Sequence, residues 1–248
     1  MYYRATAKHD QEVDNGVVRL RLDHVILRLR PLIGDSTAVF LLHLINGIRA
    51  LLGLKTYGGR EEQDWILQHI PSNADRVLDL GASESTLRLH LRNRKHLIVS
   101  LDVRFLRNID SHEWFVLGDA TRLPFIDGCF DVVVLGSVIE HIGIGAYHDP
   151  MMDDGDMLAM KEVHRVTRKS GFVLLTTAYS TVEAVTWQRH YSEQRIQHLT
   201  NRFILKEKTY LLDSGKRVRP WRVAKMIEER IEAVDPTKTI VCVCLEKP

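Results

Sequence analysis

Four short runs hold the residues whose types and spacing could do chemistry. The first is the loop Gly81-Ala82-Ser83-Glu84-Ser85, which directly follows the apolar run "RVLDL". A glycine there lets the chain turn sharply against a ligand with no Cβ in the way. The N–H groups that open a following helix can receive a carboxylate or phosphate, and Ser83 or Ser85 can cap that helix. The second is Asp102, at the end of "IVSLDV" and 21 residues after Gly81 (102 − 81). That is close to the roughly 20-residue offset at which an acid meets ribose hydroxyls in nucleotide-binding sheets. A carboxylate suits vicinal hydroxyls because it accepts two hydrogen bonds at once. The third run, "GSVIEHIGIG", offers Ser137, Glu140 and His141; a neutral imidazole can take the proton of an attacking hydroxyl. The fourth, "VTWQRHYSEQRI", sets Trp187, Arg189 and Tyr191 together, and an aromatic beside a guanidinium can grip a sugar ring or an acidic group. Each run also has a plainer structural account: a strand ending in a glycine turn, a surface acid, a histidine that caps or packs, and a packed strand–helix junction.

The elements that must position these residues follow from the apolar pattern. From residue 76 the chain alternates short strands with helices. "RVLDLG", "HLIVSLDV", "WFVLGD", "FDVVVLGS" and "GFVLLTTA" are near-continuous apolar runs bounded by turn residues, as strands buried on both faces of a parallel sheet read. Helical stretches such as "STLRLHLRNR" and "DMLAMKEVHRVTRKSG" lie between some of them. The alternation predicts an α/β fold with a doubly wound, mostly parallel Rossmann-like sheet. In such a sheet, ligands bind outside the carboxyl ends of the strands, where strand order reverses. Residues 1–60 read as an N-terminal helical cap or lid, and 61–248 as the main domain. After residue 180 come an irregular segment, a strand "RFILKEKTYLL", a helix "RPWRVAKMIEERIEAV" and a last strand "KTIVCVCLEKP", which form C-terminal insertions. The segments 143–156 and 181–235 are expected on the acceptor side.

Composition narrows the setting. Of 248 residues, 45% are hydrophobic and 27% charged, with a formal net charge of +2, which supports a sizeable core and gives no argument for nucleic acid. Residues 1–60 carry nine Lys/Arg against five Asp/Glu, a net of +4 by subtraction; that is a mild hint of an anionic partner or a solvated face. Three cysteines, Cys129, Cys242 and Cys244, show no framework spacing and point to a reducing, cytoplasmic setting. "VCVC" fits strand alternation better than a metal knuckle. The run "AVFLLHLINGIRALLGL" is too short and too polar to predict a transmembrane segment, and it leaves peripheral membrane contact open.

"GDATRLPFIDGCFDVVVLGSVIEHI", residues 118–142, resembles the central stretch of class I S-adenosylmethionine-dependent methyltransferases, the group with the pattern D-A-x-x-L-P-F-x-D-x-x-F-D-x-V. "EVHRVTRKSGFVLLTT" is similar to that group's turn before its fifth strand. With "VLDLGAS" and "LDV", the resemblance covers about residues 76–177. It implies S-adenosyl-L-methionine as cofactor. Gly81, Ala82 and Ser83 would line its methionine and ribose part, Asp102 would hold the ribose hydroxyls, and Val103 would lie against the adenine. Asp119 and the Ala120 N–H would read the adenine edge. Ser137, Glu140 and His141 would stand near the methyl donor. Some members bind a divalent metal through E-x-x-E-H here; with Ser137 in place of the first Glu, no metal is assigned. Tyr57 is expected to close over the cofactor. "GAYHDPMMDDGD" is expected to face the acceptor, with His148 as a contact and Asp156 as a helix cap.

The reading that follows is methyl transfer to an oxygen of a small molecule or glycan, with His141 and Glu140 as catalytic residues and Trp187, Arg189 and Tyr191 on the acceptor. RNA methylation is an alternative, nucleic acid being open but not favoured as a partner. A cofactor-binding regulatory pseudoenzyme is another. A nicotinamide enzyme is disfavoured because Thr86 takes the place of a third glycine. Oligomeric state is not set by these features.

Overall fold

In the computed structural model, the described residues are 32, 37, 41, 44, 59–83, 85–91, 95–105, 114–145, 147, 150–185, 187–213, 221–224 and 239–248. The central sheet is built from β1 (Arg76–Leu80), β2 (Leu97–Asp102), β3 (Trp114–Leu117), β4 (Phe130–Gly136), β5 (Thr167–Ala178), β8 (Ile204–Asp213), β9 (Trp221–Ala224) and β10 (Thr239–Glu246). Its eight strands run in the order β3-β2-β1-β4-β5-β10-β8-β9. β1 to β5 pair in parallel, whereas β10 is antiparallel to both β5 and β8, and β9 is antiparallel to β8. Strand order reverses between β1 and β4, so the crevice beyond their carboxyl ends is the ligand-binding place of this architecture.

A strand alternates its side chains between two faces, and here both faces are covered. Leu78, Leu80, Val133, Leu135, Val173, Leu175, Val241 and Val243 enter one core layer. There they meet Ala159, Met160, Val163 and Val166 from α3 (Gly155–Val166). Val77, Val132, Val134, Leu174, Cys242 and Cys244 face the opposite layer, against Trp65, Ile66 and Ile70. The first two of these lie on α1 (Gly59–His69) and Ile70 directly follows it. Thus both cysteines of "VCVC" share one apolar face, and burial pushes both thiols up, Cys244 to about 11.

Polar residues of the recognised stretch hold its turns. Arg165 reaches the Phe125 and Leu123 carbonyls, the Asp127 carboxylate at 2.8 Å and Glu162. Asp131 accepts from the Asp75 and Arg76 N–H groups at 2.9 and 2.8 Å.

Three expectations are corrected. The segment after residue 180 is not irregular throughout. It holds an antiparallel pair, β6 (Ala184–Val185) with β7 (Arg189–His190). It then forms α4 (Glu193–Leu199), whose cap Ser192 accepts from the Arg195 N–H. The expected helix beginning at Arg219 is a strand over Trp221–Ala224, with Leu211 opposite Val223 and Asp213 opposite Trp221. Trp and Val at alternate positions suit an edge strand, and pairing with β8 overrides the helical pattern. Asp156 does not cap α3: the cap position is Asp154, which makes no side-chain cap hydrogen bond. The remainder of that helix and most of the N-terminal cap lie outside the described residues. Among the described residues, no helix is long and apolar enough to cross a membrane.

Candidate cofactor and active site

β1 delivers the chain into the crevice at Gly81, whose φ is +71°. A Cβ there would also lie 2.2 Å from a Val138 methyl carbon. Handedness and close approach both demand glycine. The Gly81 and Ala82 N–H groups donate to the Leu101 carbonyl at 2.8 and 3.2 Å, and the Ser83 N–H donates to Asp102 Oδ2 at 2.9 Å. The loop after β1 is therefore tied to the end of β2. Asp102 Oδ1 accepts from the Arg104 N–H at 2.8 Å and from its Nε at 3.3 Å. The Gly118 N–H, just past β3, donates to the Asp102 carbonyl at 3.0 Å. Asp119 then stands beside Asp102, its Oδ1 accepting from the Thr121 N–H at 2.8 Å. Ala120 is buried and Val103 exposed, so the latter offers an open apolar face beside the two acids. Ser85 Oγ accepts from the Leu87 N–H at 3.1 Å, capping α2 (Leu87–Leu91).

Asp79, inside β1, went unrecognised as a site residue. It is buried, and desolvation pushes its carboxyl up to about 6 against the opposing Ser85 hydroxyl and Arg88 charge. Among the described residues, its Oδ2 and the Ser83 hydroxyl are buried without a protein partner. Buried polar atoms are normally paired, so two orphans at the mouth of the crevice mark a place for a polar ligand. The sequence signal was one acid inside an otherwise apolar strand.

β4 leads into the second half of the site. Ser137 is left-handed, with φ +51°. Its N–H donates to the Thr176 hydroxyl at 3.0 Å and its own hydroxyl donates to Glu62 Oε1 at 2.8 Å. The Thr176 hydroxyl also donates to Glu62, and burial raises that carboxyl. Glu62 was likewise unrecognised; it fastens α1 to the turn that leaves β4. A 3-10 turn over Ile139–His141 follows. Glu140 points inward and accepts from the Thr177 hydroxyl at 2.9 Å; burial first, then the nearby Glu62 charge, push it up to about 8. His141 is half-buried.

The structure separates Trp187 from Arg189 and Tyr191. Trp187 is exposed, whereas the other two are buried and their polar atoms are used internally. Arg189 Nη1 donates to the Ile142 carbonyl at 3.1 Å. The Tyr191 hydroxyl lies 3.2 Å from the Ile139 carbonyl and 3.0 Å from Asp156 Oδ2. These residues grip the two ends of the turn that carries Glu140 and His141. Both converge on Asp156, which is wholly buried. Arg195 Nη2 reaches Asp156 at 2.9 and 3.1 Å, and Arg189 lies 3.8 Å away. The expected acceptor contacts at Arg189 and Tyr191 thus give way to a girder inside the fold, because a guanidinium and a phenol can bind a buried carboxylate as readily as a ligand.

Beside His141 stand Trp187, ring centroids 5.3 Å apart, and Tyr147, 5.2 Å away and edge-on. Tyr57 and His148 lie outside the described residues. Among the described residues, no three His, Cys, Asp or Glu side chains converge as a metal site. A surface cavity lined by Pro71, Asn73, Asp131, Arg168 and Phe172 sits where β1, β4 and β5 begin, at the end of the sheet away from these residues.

Residues 78–175 match the model of a family described as a methyltransferase domain. That match covers about two fifths of the chain, and the strand order and crevice are those of the class I S-adenosylmethionine-dependent methyltransferase fold. A curated relative, the demethylmenaquinone methyltransferase of Streptomyces avermitilis, is 32% identical over 107 residues, which cover 41% of this chain and 42% of the relative. The match thus spans about two fifths of that relative's length. Among solved structures, the chain is similar to a Burkholderia thailandensis 1,6-didemethyltoxoflavin-N1-methyltransferase with bound 1,6-didemethyltoxoflavin and S-adenosylhomocysteine. The TM-score is 0.56 at 15% identity, covering 95% of this chain and 93% of the other. It is also similar to a [4+2]-cyclase, with TM-score 0.55 at 16% identity over 76% of this chain and 80% of that one. At such identities the likeness is one of fold, and the fold alone does not choose the reaction.

Proposed function

We propose that this chain transfers a methyl group from S-adenosylmethionine to a hydroxyl oxygen of a small molecule or glycan. The observation that carries the reading is the pairing, across the β1–β4 crevice, of Asp102, bound to the Gly81 loop through the Ser83 N–H, with His141 on the turn leaving β4. The residues present fit the cofactor. Asp102 would accept from the ribose hydroxyls, Val103 would lie along the adenine, and Asp119 with the Ala120 N–H would read its edge. Gly81, Ala82, Ser83 and Ser137 would line the methionine end, where the orphaned Asp79 and Ser83 oxygens offer acceptors to its ammonium.

The bound cofactor supplies an activated methyl group, so the protein has mainly to align the acceptor. His141 receives the proton of the acceptor hydroxyl. Glu140, Arg189 and Tyr191 act on His141 through the turn, as positioning residues. The Burkholderia relative is an N1-methyltransferase by name, so the acceptor atom is not set by the fold. Support for oxygen comes from the imidazole, which can accept a hydroxyl proton.

The test is incubation of the pure protein with methyl-labelled cofactor and cell extract, followed by identification of the labelled product. An oxygen-linked methyl is expected. His141→Ala should lower the rate about 100-fold, the low end for general base catalysis, with cofactor affinity unchanged. A nitrogen-linked or RNA-linked label, or an undiminished rate in His141→Ala, contradicts the reading.

A further inference from the structure

We infer that the Tyr147 ring is a gate over the cofactor crevice, swinging on Gly145 to admit S-adenosylmethionine and closing against Arg104 and His141. The gate presupposes the methyl-transfer reading and adds to it how the cofactor enters and leaves.

A closed circuit of contacts surrounds the crevice. It starts at Asp102, whose Oδ2 accepts from the Ser83 N–H at 2.9 Å. Gly81, two residues back, lies so close to Val138 that a Cβ on it would stand 2.2 Å from a Val138 methyl carbon. Val138 precedes the turn that ends at His141. The His141 ring meets Tyr147 edge-on, with centroids 5.2 Å apart at 77°. Arg104 Cζ lies 4.1 Å from the Tyr147 centroid, and Arg104 Nε donates back to Asp102 Oδ1 at 3.3 Å. In the sheet, β1 lies between β2 and β4. A contact between Arg104, just past β2, and Tyr147, beyond β4, therefore spans the end of β1. Gly81, Ser83 and Asp102 stand on this circuit, and Ser137 adjoins it at Val138. A ligand that touches both Asp102 and Ser137 lies within it.

The links differ in strength. Asp102 is buried, and a backbone N–H donating to a carboxylate makes one of the stronger hydrogen bonds. The turn from Val138 to His141 is clasped by Arg189 and Tyr191 through the Ile142 and Ile139 carbonyls. The two links through Tyr147 are an aromatic edge and a cation on a ring, which are modest attractions, and Tyr147 is only half-buried. The circuit opens most easily there.

The backbone before Tyr147 supplies the pivot. Gly143 is anchored, its carbonyl accepting from the Met152 N–H at 2.8 Å. Gly145 follows with φ +72°, a left-handed conformation that glycine adopts or leaves at little cost. Hinges of mobile loops are a few such positions that absorb the change in backbone angle. A fixed base, a glycine pivot and an aromatic tip two residues further on make a short arm.

The test is surface plasmon resonance on immobilised protein, reading association and dissociation rates of S-adenosylhomocysteine for wild type, Tyr147→Ala, Tyr147→Leu and Tyr147→Phe. A ligand passes only through the open fraction, so a gate slows entry and exit together. In Tyr147→Ala both rates should rise about threefold or more from loss of the cation–ring contact, with Kd kept within about twofold. Tyr147→Leu, which fills space without offering Arg104 a ring, should match it, and Tyr147→Phe, which keeps the ring, should retain wild-type rates. Unchanged rates in the alanine and leucine variants overturn the gate. Faster exit with unchanged entry overturns it as well, since Tyr147 would then be a contact that holds the ligand. Failure of the wild type to bind S-adenosylhomocysteine instead overturns the methyl-transfer reading and the gate with it.

Discussion

Asp79 and Glu140 are buried acids whose charged forms desolvation disfavours, to apparent values of about 6 and about 8. Both values lie above those of an unfolded chain, so the folded state holds more protons and each group costs stability as pH rises. For Asp79 the loss develops between pH 4 and 6 and persists above; for Glu140 it extends from pH 4.5 to 8. A shift from 3.8 to about 6 corresponds to roughly 3 kcal/mol at 1.36 kcal/mol per unit. Melting of the cofactor-free protein is therefore expected at lower temperature at pH 8 than at pH 5. Asp79→Asn should raise the melting temperature at pH 8, leave it nearly unchanged at pH 4, and weaken cofactor binding. Equal melting of the two proteins at pH 8 would count against a net cost of the desolvated Asp79 charge. At this scale, the places of Gly81, Asp102 and Asp119 just at or past strand ends were legible, because apolar runs mark where strands stop; their roles toward the cofactor are part of the proposal. Arg189 and Tyr191 were misread because a residue's type says what it can bind and not which way it points.

Among the elements, the turn over Ile139–His141 depends on its neighbours more than on its own residues. Asp156 on α3 collects Arg195, Arg189 and Tyr191, and the last two clasp the carbonyls of Ile142 and Ile139. Removing the carboxylate leaves buried Arg189 and the partly buried Arg195 without their counter-charge, a change that costs about 3–5 kcal/mol in such pairs. At 2–4 °C per kcal/mol for a chain of this size, Asp156→Ala should melt about 10 °C lower by differential scanning calorimetry. A shift under about 2 °C would show that Asp156 is not the hub described. None of this was readable beforehand: a loop rich in Asp, Pro and Gly carries turn signals, and only the partners arriving from residues 189–195 reveal the acid's role. Strands β1, β4 and β5 were readable because burial on both faces leaves a near-continuous apolar run. The edge strand β3, exposed at Trp114 and Leu117, was readable from its apolar residues and the turn that follows. Trp221–Ala224 was not, since four residues at a sheet edge inherit their conformation from β8.

For the whole molecule, alternation of strands and helices implied the parallel sheet and the crevice at its switch point. The antiparallel placement of β10 between β5 and β8 was not implied, because a strand's pattern announces burial but not its neighbours. What matters for function is that the crevice gathers the Gly81 loop, Asp102 and the β4 turn from three separate elements. The central claim is that this crevice holds S-adenosylmethionine by the ribose through Asp102. It is tested most directly by calorimetric titration of the cofactor into wild-type protein and Asp102→Asn, with melting profiles recorded for both. One-to-one binding to the wild type is expected, with at least about a tenfold loss, 1.4 kcal/mol, in the folded variant. No binding to the wild type, or equal binding to a folded Asp102→Asn, would contradict it.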